Sequence, residues 1–366
     1  MIGHSIAPSA PRLRRRRHSI AGDDGYAAQL PRGDKVFLLD GWELEIVYIW
    51  QNASFGSWRP QRLDDLPHRK IGRQREDTDN RKGRPMSVAT NLKSDPWATS
   101  AVEGTLQFAE RSTEKPYAHV GPPPEGVEPI RSDIRSLTVR VENARPFADQ
   151  LNLDVEGVAL VRRPTAVRDY WDEAQTLALG HPEAAALVRE VTGASRVVVF
   201  DHTLRRRSEG AADRTTGIPR QPATRVHVDQ TVWSGPKRVR EIMGEDFQRF
   251  GKRAAIINVW RPIAHPARDW PLVVGDARSI DADDLIASDL IFPNRRGEIY
   301  LLAHNPRQRW LYVPDLTPDE ALLIKCWDSD PDVARFAPHS AFEDATTPPG
   351  TPPRQSIEFR TIAFFD

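Results

Sequence analysis

Past residue 250 the chain is a succession of short β-rich runs: "RAAIINVWRPI", "PLVVGDARSI", "GEIYLLAHN", "QRWLYVPDL", "ALLIKCWDS" and "IEFRTIAFF". Pro, Gly and Asp turns separate them at near-regular spacing, with few helical stretches between. A chain of this kind buries its apolar groups by stacking or closing sheets, so the pattern predicts a β-sandwich or jelly-roll barrel. The stretch before it is mixed. "EGTLQFAE" and "SLTVRVENAR" alternate like strands, and "NLDVEGVALVRRPTAV" reads as two strand halves around Gly157. "VRDYWDEAQTLALG" and "HPEAAALVREVTGA" read as two helices, the second bounded by Pro182 and Gly193. "SRVVVFDHTLRRR" is a buried strand running into an arginine cluster. "GPKRVREIMGEDFQRFG" is an amphipathic helix stopped by Gly251, and "TPDE" (Thr317 to Glu320) has capping-box form. The fold class expected is mainly β with flanking helices.

The first 85 residues read differently. They carry 16 Lys and Arg against 11 Asp and Glu, in blocks such as "RLRRRRHS". Low apolar content and charge runs predict a basic extension, 1–85, that is disordered or dispensable. Met86 opens a stretch that reads as an ordinary beginning, and the barrel domain is expected over 86–366 with its core at about 195–366. The tetra-arginine is a weak nucleic-acid signal, because the whole chain balances 51 basic against 51 acidic side chains. No apolar run is long enough to span a bilayer, and the single Cys326 excludes an internal disulfide and a multi-thiolate zinc site. These features predict a cytoplasmic protein with a small-molecule partner, no nucleic acid and no membrane; the oligomeric state is not readable.

"TRVHVDQT" (224–231) holds the sole H-x-D of the chain. Strand alternation puts Arg225, His227 and Asp229 on one face. An imidazole and a carboxylate so spaced are either a hydrogen-bonded pair or two ligands of a non-haem iron facial triad. A third ligand must come from His265, His304 or His339. His265 stands between prolines and suits a surface loop; His304 ends a strand; His339 lies in an extended element between Phe336 and Phe342. His202 directly follows an Asp and suits a structural role. Further on, "PPRQSIEFR" projects Arg354, Ser356, Glu358 and Arg360 from one strand face. Arg354 and Ser356 can clamp a carboxylate, with Glu358 as the alternative partner of Arg354.

The order H-x-D, distal His, R-x-S is that of Fe(II)/2-oxoglutarate oxygenases. From about Tyr117 to Asp366 the chain resembles the AsaB-type hydroxylase/desaturase family, which includes gibberellin-desaturase-like proteins and the cephamycin-pathway hydroxylase component. The blocks that carry the resemblance are "GASRVVVFDHTLRRR", "RVHVDQT", "IINVWRPI", "WPLVVGDARSID", "LIKCWDS", "ARFAPHSAFED" and "PPRQSIEFR". It implies a double-stranded β-helix (a jelly-roll or cupin-like barrel), with His227, Asp229 and His339 at the iron positions and Arg354 and Ser356 on the co-substrate strand. It also implies Fe(II), 2-oxoglutarate and O2 as cofactor and co-substrates, and hydroxylation or desaturation of a small secondary metabolite. Arg225, Asn258, Trp260 and Arg261 are candidate substrate contacts. Asn258 and Trp260 share a strand face and Arg261 takes the opposite one, so at most one set faces the site. Two other readings stay open: a metal cupin enzyme without 2-oxoglutarate, and a catalytically silent barrel serving as a partner subunit.

Overall fold

The run Arg253–Pro262 is apolar on both faces because it is covered on both: every residue from Ala254 to Pro262 is buried. The structure, a computed structural model, describes residues 100–211, 219–244 and 251–366. The expected N-terminal extension, and Phe247 and Phe250, lie outside the described residues. In chain order the strands are β1 (Ala101–Ala109), β2 (Tyr117–His119), β3 (Ile130–Arg131), β4 (Ile134–Asn143), β5 (Val158–Arg162), β6 (Arg196–Arg206), β7 (His227–Val228) and β8 (Arg253–Pro262). There follow β9 (Leu272–Gly275), β10 (Leu285–Ile291), β11 (Arg296–Leu302), β12 (Trp310–Tyr312), β13 (Glu320–Asp328), β14 (His339–Ala341), β15 (Glu343–Asp344) and β16 (Gln355–Phe365). They form a sheet of order β15-β1-β4-β12-β9-β14-β7-β11-β10-β2-β3 and a second of order β5-β13-β8-β16-β6.

The inner faces of the two sheets meet in two apolar clusters. Trp260, Leu322 and Ile324 of the smaller sheet pack with Leu272, Val274 and Leu311 of the larger. Val198, Phe200, Ile256, Ile362 and Phe364 pack with Val228. The architecture is a double-stranded β-helix, and polar residues of β8 and β16 lie between the two clusters. On the outer face of the smaller sheet, Leu187 and Val188 cover Val197, Ile257, Val259 and Phe359.

Leu187 and Val188 belong to the helix His181–Thr192, which ends at Gly193 with φ +70. The two helices expected from the sequence are joined. Glu173–Gln175 passes through a π-helical stretch, Thr176–Gly180, directly into His181–Thr192. Pro182 has no N–H to give, and the widened turn, in which the His181 N–H donates to the Thr176 carbonyl, carries the chain past it. Gly157, at φ +78, closes a turn from Asn152, so only the second of the two expected strand halves forms. "TPDE" is a tight turn into β13 in place of a helical turn. There the Glu320 carboxylate accepts the Thr317 N–H at 2.8 Å.

The helix Ser234–Met243 ends at Gly244, φ +81, and not at Gly251. It seats Val239 and Ile242 on the barrel end, beside Trp327. Gly235 brings its backbone flat against that indole; a Cβ there would lie 2.4 Å from Trp327 Cγ. A Gly235→Ala variant is therefore expected to lose about 1–3 kcal/mol of stability in urea unfolding, as overpacked cores do. An unchanged midpoint would mean that the indole moves freely.

Candidate metal and co-substrate centre

β14 pairs antiparallel with β7 so that His339 stands opposite His227, and the ring centroids are 4.6 Å apart. Each imidazole is oriented by its own local backbone. His227 Nδ1 lies 2.8 Å from the Arg225 carbonyl, and His339 Nδ1 lies 3.1 Å from the Ala337 carbonyl. A carbonyl only accepts, so both rings donate through Nδ1 and turn a bare Nε2 inward. His339 is buried, and its Nε2 has no hydrogen-bond partner. Asp229 completes the group. Its Oδ1 is 3.5 Å from His227 Nε2, and one donor atom from each of His227, Asp229 and His339 lies within 4.8 Å of the others.

Asp229 is aimed from behind. Asn258 Nδ2 donates to Oδ2 at 2.9 Å and Arg360 Nε donates to the same oxygen at 3.1 Å, which leaves Oδ1 toward the imidazoles. Burial opposes the charge on this carboxyl, but Arg360 and the two imidazoles hold it well below the usual carboxylate range. His339 is pushed down by burial and then by its neighbour His227, which favours the neutral ring. Two imidazoles and one carboxylate, held by partners on their far atoms, are a donor set that suits a divalent transition metal. The bare His339 Nε2 is the observation that tests this fit, since a buried, unpaired acceptor costs stability unless something fills it.

Arg354, directly before β16, continues the inward face of Ser356, Glu358 and Arg360. Arg354 is 2 % exposed; its Nη1 donates to the Trp270 carbonyl at 2.6 Å, and its Nε has no partner. That carbonyl is presented by a tryptophan at φ +46, an uncommon conformation for a bulky residue. Burial, and then Arg205 nearby, lower the guanidinium to about 9 against the opposing pull of Asp269 and Glu358. Glu358 is not its ion-pair partner: Glu358 Oε1 accepts from Arg360 Nη2 at 2.5 Å. Ser356 Oγ is buried and unpaired as well. A cation and a hydroxyl with unspent donors, side by side and out of water, fit a carboxylate.

A cavity of about 880 Å³ reaches His227, Asp229 and Arg360 from the side of β2, β6, β10 and β11. Arg205, which stands opposite Ser356 in the β6–β16 ladder, also lines it. Arg225 lines it too; its Nη1 donates to Ser132 Oγ at 3.3 Å and it makes no pair with Asp229. Asn258, expected at the substrate, serves the Asp229 carboxylate instead. Trp260 is 2 % exposed in the apolar core, with Arg354 over its ring at 5.4 Å, and is no part of the cavity wall. Arg261 points to the other side of β8, donating to Tyr170 Oη at 3.4 Å and the Arg163 carbonyl at 3.1 Å, so it is removed from the site.

The other histidines are occupied elsewhere. His304 packs edge-on against Phe108, His265 contacts the carbonyls of Pro266 and Pro353, and His202 meets His181 at 3.0 Å. Arg360 is shared among Glu358, Asp201 and Asp229. The alternation of 354, 356, 358 and 360 placed it on the inward face. What it would touch there depended on β7.

The model of the family described as "Oxidoreductase/YMDC permease-like domain" matches residues 106–364. The chain belongs to that family. Among the described residues no helix is long and apolar enough to cross a membrane. The chain is 34% identical over 261 residues to the hydroxylase/desaturase efuI of Hormonema carpetanum, covering 64% of this chain and 86% of that protein. It is 31% identical over 260 residues to the Fe(II)/2-oxoglutarate-dependent dioxygenase nvfI of Aspergillus novofumigatus, covering 69% and 91%. Among solved structures, the iron and alpha-ketoglutarate-dependent endoperoxidase NvfI superposes with a TM-score of 0.66 at 30% identity, covering 72% of this chain and 98% of that one. The barrel of this family member is thus the fold of an oxygenase, and the resemblance read from its blocks holds.

Proposed function

We propose that the chain is an Fe(II)/2-oxoglutarate-dependent oxygenase that hydroxylates or desaturates a small secondary metabolite. The observation that carries this reading is the convergence of His227, Asp229 and His339 within 4.8 Å. In this reading His227 and His339 would hold Fe(II) through Nε2 and Asp229 through Oδ1, the carboxylate's negative charge favouring binding of the cation. Asn258 and Arg360 fix the carboxylate by its other oxygen, so that its orientation does not depend on the metal. When bound, iron, 2-oxoglutarate and O2 supply the oxidising chemistry, with succinate and CO2 as co-products. Arg354 receives the far carboxylate of 2-oxoglutarate with its unspent donors, and Ser356 adds one more. Trp260 and the apolar residues around it keep water from that end of the barrel. The cavity beside His227 and Asp229 receives the metabolite. We place the activity in the cytoplasm, where a free, buried Cys326 is stable as a thiol.

Anaerobic addition of Fe(II) and 2-oxoglutarate tests the reading. The wild type is expected to develop a weak visible charge-transfer band. An Arg354→Ala variant should need about tenfold to a hundredfold more 2-oxoglutarate to reach it, the worth of one charge-assisted hydrogen-bonded contact. A wild type with no band would favour a silent barrel.

A further inference from the structure

The cavity beside the cluster is lined by an excess of cations, and their pairing shows what is left over. Glu241 is taken by Lys237 and Arg238, and Glu298 by Lys115. Asp201 and Asp229 are taken by Arg360, and Arg296 is held by Asp289. Every cavity carboxylate so counted already has its counter-charge. Arg225 has none among the described residues. It is partly buried, on the strand face of His227 and Asp229, and its one side-chain hydrogen bond is the 3.3 Å contact to Ser132 Oγ. Arg295, just before β11, at least stacks on Phe292 at 3.6 Å. A half-buried guanidinium with no counter-charge among the described residues is costly unless a ligand supplies one. The same cavity is also lined by the apolar and aromatic side chains of Tyr117, Ile130, Leu290 and Phe292.

Building on the oxygenase reading, we propose that the metabolite is an organic acid with an apolar body, and that Arg225, with Ser132 beside it, receives its carboxylate. The pair repeats on the substrate side the chemistry of Arg354 with Ser356: a planar fork for two oxygens and a hydroxyl for one more contact. Because Arg225 lies two residues before His227 on the same strand face, the acid would be anchored close to the cluster. The apolar body then runs along β10 and β11. Arg225 is here a specificity-determining residue, and the acid is the class of substrate it selects.

The test is calorimetric binding of octanoate, adamantane-1-carboxylate and 1-naphthoate, each against its neutral primary amide. The full chain is loaded with Zn(II) and saturated with 2-oxoglutarate, so that Arg354 is occupied. At least one acid is expected to bind about tenfold or more tightly than its amide, as a charge-assisted contact gives. Arg225→Gln should bring acid and amide within about twofold of one another, while Arg295→Gln should keep the preference. The proposal is overturned if amides bind as well as acids, if no acid binds below about 10 mM, a free energy under 3 kcal/mol, or if Arg225→Gln keeps the preference. The wild-type comparison stands even where a variant fails to fold. Absence of the Fe(II)/2-oxoglutarate band would sink the oxygenase reading alone, because the acid–amide comparison is made without iron.

Discussion

A His339→Ala variant is expected to lose metal-dependent stabilisation and succinate formation together. The ring contributes one of three donors, and its Nε2 has no other partner. Two donors on neighbouring positions of one strand, His227 and Asp229, do not enclose a cation by themselves. The loss should therefore exceed the roughly 10- to 100-fold that removing an outer partner of a metal site costs. The metal-free variant should still fold, because the ring makes one hydrogen bond, to the Ala337 carbonyl, and the strand ladder around it is backbone. Melting curves with and without added Fe(II) under argon separate the two effects. Wild type should gain stability as metal is titrated, following mass action, and the variant should not. A variant that melts higher with metal by as much as the wild type would show that the cation sits elsewhere.

Arg360→Met should be the most destabilising single change near the centre. The guanidinium is bonded to Asp229 at 3.1 Å, Glu358 at 2.5 Å and Asp201 at 3.0 Å, with Thr203 Oγ1 at 2.8 Å. Burial opposes its charge, but Glu358, Asp229 and Asp201 together hold its proton well above the usual arginine range. Methionine fills similar volume and leaves the buried Glu358 and the half-buried Asp229 without their counter-charge. Breaking a buried pair in this way costs about 3–5 kcal/mol. Urea unfolding of the metal-free protein measures it, and a loss below about 1 kcal/mol, the level of exposed pairs, would show that the network is solvated. Arg360→Lys should recover only part, since an ammonium has three donors on one atom and cannot span the four separate acceptors that the guanidinium reaches.

The strands that build the barrel were legible because burial leaves a period in the sequence. β1 and β4 alternate, and β8 and β13 read as continuous apolar runs because both their faces are covered. The junction at Pro182 was not legible, since a proline marks a helix start equally well when a π turn precedes it. Nor were the bulges. In β6 the pairing moves from Asp201 opposite Arg360 to Val199 opposite Thr361, and in β13 it skips Cys326. The shift in β6 brings Phe200 and Asp201 together onto the cavity wall, which strict alternation forbids. At the centre, residue types and order were sufficient to propose His227, Asp229 and His339. The roles of Asn258 and Arg360 were not readable, because each is defined by an oxygen on a strand about 30 to 130 positions away. The opposite-face rule for Arg261 held, and the structure gives its side to the helical layer.

The pairing of His227 with His339 makes the centre depend on a contact between strands that are distant in the sequence. The segments that form β8 to β13 lie between them, so the three donors meet only where β7 and β14 are paired in register. A chain without that pairing holds two ligands at most. Incomplete or misregistered copies should therefore stay metal-poor, and oxidising chemistry at this centre would be confined to finished molecules.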